Sequence, residues 1–185
     1  VQRYIALWKK GPKGTVLLRD GGWNWGDWGD NIDILPLQNA WYYLMIKGMR
    51  NAAEVLGHAA DARSYTEEMA ALKQAFNSHF WNGKEYRDPE YKKATDDRVH
   101  ALAVVSGLAD PDKYPAILNV FRSQENASPY MEKYVFEALM QMGNGDEGFA
   151  RHNRRFSNMV RNDYFTTLFE GWGIGSEGFG GGSVN

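Results

Sequence analysis

The chain has 185 residues, seven Trp and ten Tyr among them, with 43% hydrophobic and 24% charged residues, a formal net charge of −2 and no cysteine. This composition suits a single domain, residues 1–185, with a sizeable core. It excludes disulfide and thiol chemistry, argues against nucleic acid as a partner because no basic run exceeds Lys9-Lys10 or Lys92-Lys93, and contains no apolar run that approaches membrane-spanning length.

Residues 1–10 read as the tail of an amphipathic helix stopped by Gly11-Pro12. Residues 14–19 are short and extended. Pro36 opens a helix predicted over residues 37–56, and Gly57 stops it. The apolar positions of this helix (Leu37, Ala40, Trp41, Leu44, Met45, Met49, Ala52, Val55 and Leu56) spread over more than one narrow stripe, so much of its surface is expected to be covered. Asp61 suits the N-cap of a helix running to about residue 80, whose Tyr65, Met69, Leu72, Phe76 and Phe80 form one stripe with polar residues elsewhere. A mostly apolar segment follows over 96–108 and stops at Gly107, then a short helix over 113–122. Ser128-Pro129 gives an N-cap and first-turn proline for a helix over 130–142, ended by Gly143. Residues 146–160 form a further polar helix with one apolar row. Residues 162–185 are Gly-rich and read as an ordered functional loop.

Broadly apolar and one-striped helices therefore alternate. Each broad helix ends in Gly, an Asp follows shortly, and a narrow-striped helix runs back: Gly57 with Asp61, Gly107 with Asp110 or Asp112, Gly143 with Asp146. The irregular spacing argues against a short-period solenoid and for antiparallel inner and outer helical hairpins closing on one another. In that arrangement the residues preceding each inner helix gather at one rim: the stretch 22–33, residues 93–97, residues 126–132 and the segment after Tyr164.

Two strings at that rim could carry chemistry. Residues 22–33 (Gly-Trp-Asn-Trp-Gly-Asp-Trp-Gly-Asp-Asn-Ile-Asp) hold three tryptophans, three aspartates, two asparagines and three glycines. The glycines permit sharp turns and close approach of a ligand. Indole faces stack on apolar C–H surfaces and carboxylates accept hydroxyl hydrogen bonds, a combination suited to a sugar. The same residues would also serve a structural loop with buried indoles and helix-capping aspartates, the commoner use of such a stretch. The second string is Thr166-Thr167-Leu168-Phe169-Glu170-Gly171-Trp172-Gly173. A glutamate between two aromatics would be partly desolvated, which raises a carboxylate's pKa toward the range useful for proton transfer; the alternative is a glutamate that only accepts backbone bonds. Glu132, in the first turn of an inner helix, is a rival, with helix initiation as its structural alternative. His100 reads as a satisfied core histidine. Asp27, Asp30, Asn31 and Asp33 do not match a calcium-loop spacing, so no metal is expected.

The loop Trp-Gly-Asp-Trp-Gly-Asp before a long helix, the string Ser-Pro-Tyr-Met-Glu-Lys-Tyr-Val-Phe-Glu-Ala-Leu at 128–139 and Thr-Thr-Leu-Phe-Glu-Gly-Trp at 166–172 resemble, in the same order, the catalytic domain of bacterial α-L-rhamnosidases of glycoside hydrolase family 78. The resemblance covers nearly the whole chain. It implies an all-α fold, an (α/α)6 barrel of inner and outer helices, present here as an incomplete barrel corresponding to its C-terminal part. It implies removal of terminal α-L-rhamnosyl groups with inversion and no cofactor, Glu170 as general base, and a sugar pocket to which Trp25, Asp27, Trp28, Asp30, Glu132 and Trp172 contribute. The family's Asp-Glu-Arg motif, which holds the general acid, is absent here. The His that touches the sugar in the family would follow Asn185, and Phe169 stands where the family commonly has Trp.

The implied partners are a rhamnoside substrate and the remainder of the same polypeptide. The chain alone is expected to be inactive, with an inner face around Leu44 and Met45 left uncovered. Two other classes stay open: a non-catalytic sugar-binding module and a helical scaffold with rim aromatics; a related glycosidase of different sugar specificity is a further possibility. A polysaccharide-degrading role would suggest a secreted or periplasmic protein.

Overall fold

A computed structural model of the chain describes residues 1–163 and 167–172. Among these, the regular elements are helical: α1 (Gln2–Ile5), α2 (Ile34–Val55), α3 (Ala59–Phe80), α4 (Asp97–Ser106), α5 (Tyr114–Ser123), preceded by a 3-10 turn at Pro111–Lys113, α6 (Pro129–Gln141) and α7 (Gly145–Val160). Two isolated antiparallel bridges, Lys10 with Val16 and Trp81 with Tyr86, tie the connections.

The ends follow local chemistry. The Asp96 side chain accepts the Arg98 N–H to cap α4, and Ser128 accepts from Met131 N at 3.3 Å to cap α6, with Pro129 in the first turn. At the far end of α4, Gly107 adopts φ +89°, a conformation costly for any residue with a Cβ. Helix α2 begins at Ile34, three residues before the predicted start, because the Asp33 carbonyl accepts from Leu37 N and Pro36 fits the first turn. Helix α3 begins at Ala59, so Asp61 lies in its first turn and not at its cap. The backbone bond from His58 N to Ala53 O, 2.8 Å, folds the chain directly from one helix into the next. There Asp61 still favours the helix dipole.

Helix α2 packs on α3 and α4, α4 on α2, α5 and α6, and α6 on α4 and α7. The helices α2, α4 and α6 thus form an inner row, each backed by the helix that follows it. Three antiparallel hairpins result. The row is curved, since Trp41 of α2 meets Tyr134 of α6 edge-on at 5.3 Å although α4 packs against both helices. Burial matches position. Almost every residue of the central α4 is buried, including Val99, Ala101, Leu102 and Ala103 at 0% exposure, whereas α3 buries a single stripe of Met69, Leu72, Phe76 and Phe80. Leu44 and Met45 are half-buried against the core, so the inner face expected to be uncovered there is uncovered only in part. The extended segment at 14–19 is clamped to α2 by Asn39, whose side chain exchanges two hydrogen bonds with Val16, at 2.8 and 3.0 Å.

Phe76 lies fully buried between Phe80 and Tyr86. Phe76→Ala is expected to lower the unfolding free energy by about 3–5 kcal/mol, whereas Val55→Ala, at an exposed position, should change it by no more than about 0.5 kcal/mol; urea denaturation of both variants checks this.

Candidate functional site

The N-termini of α2, α4 and α6 meet at one rim, held there by buried charges. Arg98, fully buried at the start of α4, donates from Nε to Asp96 Oδ1 at 2.7 Å, from Nη1 to Asp27 Oδ2 at 3.0 Å and the Trp28 carbonyl at 3.1 Å, and from Nη2 to the Asn31 carbonyl. Asp27 in turn accepts from the Ser128 N–H and hydroxyl, at 2.9 and 2.5 Å, joining the Trp-rich loop to the cap of α6. Asp96 also accepts from Asp33 N at 3.0 Å, which joins the start of α2 to that of α4. Gly26 lies so close to α2 that a Cβ there would meet Leu37 Cδ2 at 2.7 Å and Ile34 Cδ1 at 2.8 Å. The Gln38 side chain donates to the Trp25 carbonyl. The loop is therefore pinned on both sides.

A cavity of about 370 Å³ opens above this platform, lined by Trp25, Trp28, Pro129, Tyr130, Leu168, Phe169 and Glu170. Trp25 meets Trp28 edge-on at 6.2 Å and Tyr130 at 5.8 Å, so the rings brace one another. Phe169 is buried with Phe156 and Met159, and this turns its neighbour Glu170 outward. Glu170 is exposed, contrary to the partial desolvation expected between two aromatics, because the burial falls on Phe169.

The residues singled out from the sequence divide. Trp25, Trp28 and Glu170 share the cavity. Asp27 lies beneath it, 4% exposed, with both oxygens engaged by Ser128 and Arg98. Glu132 is 1% exposed and held by two arginines: Arg151 at 2.5 and 3.2 Å and Arg155 at 2.7 Å. Arg151 also bonds Asp97 Oδ2 at 2.7 Å, so this cluster ties α4, α6 and α7 together. Trp172 lies behind the cavity, against Phe156 at 4.9 Å and under the Arg155 guanidinium at 4.1 Å, with Nε1 donating to the Ala127 carbonyl at 2.8 Å. Asp30 is exposed outside the cavity lining, and its carbonyl accepts from Lys93 Nζ at 2.5 Å. Tyr130 lines the cavity but was not singled out; its place directly after the capping Ser128-Pro129 was the available signal. Most of the segment after Tyr164 predicted to reach the rim, residues 164–166 and 173–185, lies outside the described residues.

Buried ionisable groups beneath the site depart from ordinary values. Burial pushes the Asp33 carboxyl up to about 7, with the charges of Asp88 and Asp96 adding to the rise against an opposing hydrogen bond from Asp88 N and the charge of Arg87. Burial pushes Asp96 up to about 6 against the pull of Arg98. His100 is held down at about 4 by complete burial; its Nδ1 bonds the Asp96 carbonyl at 2.8 Å and its Nε2 accepts from Tyr86 N at 2.9 Å, a satisfied neutral core histidine. Among the described residues, no group of three or more His, Asp or Glu side chains is placed to hold a metal ion.

Inner and outer helical hairpins with an aromatic and carboxylate cleft at one rim define the helical-toroid type of glycosidase domain. The family profile described as the bacterial alpha-L-rhamnosidase 6 hairpin glycosidase domain matches residues 1–143, and the chain belongs to that family. Among solved structures, a family 78 rhamnosidase of Bacillus sp. GL1 is similar with a TM-score of 0.71 and 20% identity, over 86% of this chain and 18% of that one. A rhamnosidase from Klebsiella oxytoca with rhamnose bound is similar with a TM-score of 0.72 and 21% identity, over 86% of this chain and 32% of that one. The chain thus spans a third or less of the length of these two proteins. No curated protein matches it.

Asp33 gives a stability test. A carboxyl whose pKa is raised on folding binds its proton more tightly in the folded state, so its contribution is full below about pH 4 and is lost as pH rises through about 7. Between pH 5 and 8 the Asp33 contribution lowers the melting temperature as pH rises, so the difference between the wild type and Asp33→Asn is expected to shift against the wild type across that range; thermal melts of both proteins check it.

Proposed function

We propose that this chain is part of an inverting α-L-rhamnosidase, supplying the general base and one wall of the sugar pocket, with the general acid on another part of the same polypeptide. The juxtaposition of the outward Glu170 carboxylate with Trp25, Trp28 and Tyr130 around one cavity carries this reading. Braced aromatic rings offer flat apolar surfaces to the C–H face of a pyranose, and in the Klebsiella oxytoca structure of the same fold the bound molecule is rhamnose. No cofactor is called for.

Inversion needs two carboxyl groups about 6.5–9.5 Å apart, leaving room for a water on the face opposite the leaving group. Glu170 takes a proton from that water as the water attacks the anomeric carbon, and the acid protonates the departing oxygen. Asp27 and Glu132 are positioning residues in this reading. Their oxygens are taken up by Ser128, Arg98, Arg151 and Arg155, and they fix the loop and helix that present Trp25, Trp28 and Tyr130. Trp172 supports the Glu170 segment from behind, and Asp30 acts from the loop surface. The family's departures here, the missing Asp-Glu-Arg motif and Phe169 in place of Trp, leave the base and the aromatic wall in place.

Hydrolysis of an aryl α-L-rhamnoside by the full-length gene product is the test. Glu170→Gln is expected to lower kcat by about 10²–10⁴ while leaving KM nearly unchanged, and proton NMR should show the β-anomer of rhamnose released first. Near-normal turnover by the variant would remove Glu170 from the base role, and the α-anomer as first product would rule out inversion. Residues 1–185 alone should show no turnover; efficient hydrolysis by them would refute the separate acid.

A further inference from the structure

Beside the Glu170 cleft lies a second cavity of about 350 Å³, within the range of small-molecule sites. Trp25 and Tyr130 line both, so the two are neighbours along one surface. The second cavity has aromatic walls, with Trp8, Trp23 and Trp41 among them, and Arg19 in its lining. Among the described residues, the buried indole N–H groups of Trp8 and Trp25 and the buried Nε–H of Arg19 meet no acceptor. Two polar groups of the lining are engaged elsewhere: the Tyr42 hydroxyl donates to Glu68 at 2.6 Å and the Gln38 amide donates to the Trp25 carbonyl. No carboxylate among the described residues lines the cavity.

Arg19 is the centre of this arrangement. Its backbone is fixed by a reciprocal pair of bonds with the Asn24 side chain, at 3.2 and 3.1 Å, so it belongs to the base of the Trp-rich loop. Its guanidinium carbon lies 5.2 Å from the Tyr4 ring centroid and 5.1 Å from that of Trp8, held by two aromatic faces. Among the described residues it makes no ion pair, whereas Arg98, Arg151 and Arg155 are each paired with carboxylates. A preoriented guanidinium fork without an anion, at the edge of an aromatic cavity, matches a planar carboxylate carried on an apolar-faced ring.

We propose that this cavity is a subsite for a hexuronate unit, the sugar next to the one cleaved at the Glu170 cleft, with its carboxylate on Arg19 and its ring face on the tryptophans. This rests on the glycosidase reading of the Glu170 cleft and narrows its substrate to a glycan in which an acidic sugar adjoins the cleaved one. A sulfate ester shares the negative charge but not the planar fork, and serves as the competing source.

Calorimetric binding to the full-length gene product tests the subsite, with methyl β-D-glucuronoside, methyl β-D-glucoside and methyl β-D-glucoside 6-sulfate as probes. The glucuronoside is expected to bind at least about tenfold more tightly than the glucoside, with the sulfate ester close to the glucoside. Arg19→Gln should reduce the acid preference to nearly one, Arg19→Lys should keep part of it, and Arg63→Gln, which removes the same charge from an exposed position, should keep all of it. Equal binding of acid and neutral sugars, or a preference that survives Arg19→Gln in a protein whose melting temperature is intact, would overturn the subsite. Equal binding of the sulfate ester would overturn the uronate assignment. Cleavage of an aryl α-L-rhamnoside, which carries no acid, reports on the Glu170 reading separately, so failure of either idea is told from failure of the other.

Discussion

Everything at the rim depends on one buried guanidinium. Arg98 has no solvent contact, and its donors reach two carboxylates and two backbone carbonyls. Three of those four acceptors, Asp27 and the carbonyls of Trp28 and Asn31, belong to the Trp-rich loop. A buried charge that loses a partner costs about 3–5 kcal/mol, so the loop cannot drift without stranding Arg98. Asp27 passes the constraint on to Ser128, and so to the start of α6. One residue thereby sets where Trp25 and Trp28 stand relative to Tyr130.

A second cluster fixes the opposite wall. Glu132 and Asp97 on the inner helices hold Arg151, with Arg155 added, both from α7. Arg155 covers Trp172, whose indole packs on Phe156 of α7 and donates to Ala127 just before α6. The segment bearing Glu170 is therefore anchored through aromatic packing, the bond from Trp172 to the Ala127 carbonyl and the contact of Phe169 N with Met159 Sδ at 3.5 Å, against a base stiffened by ion pairs. Charge networks lie below, and above them stand rings that brace one another.

Much of the fold could be read from hydrophobic pattern. The contrast between the broad apolar surface of α4 and the single stripe of α3 announced inner and outer helices, and capping residues such as Ser128 and Gly107 marked their ends. Start positions were less legible. Asp61 looks like a cap by residue type, but the tight reversal at residues 56–58 starts α3 earlier, since backbone bonds outrank a side-chain preference there. The degree of cover at Leu44 and Met45 was not legible either, because burial there is set by a core assembled from residues distant in sequence.

The sequence by itself determined which residues could bear the chemistry: indoles and aspartates crowded between glycines, a glutamate between aromatics, and three strings in the order of a rhamnosidase family. Only the tertiary structure decided where each of them stands. Asp27, Glu132 and Glu170 are carboxylates of equal promise in a linear string. In the folded chain the first two are buried and surrounded by donors, while the third is turned into the cleft because Phe169 takes the buried position. Residue type limits what a side chain can do, but burial and hydrogen-bond partners select the role, and both are set by residues far away in sequence. Arg98, which reads as an ordinary charge in the sequence, organises the rim because the fold brings it beside Asp27, 71 residues earlier.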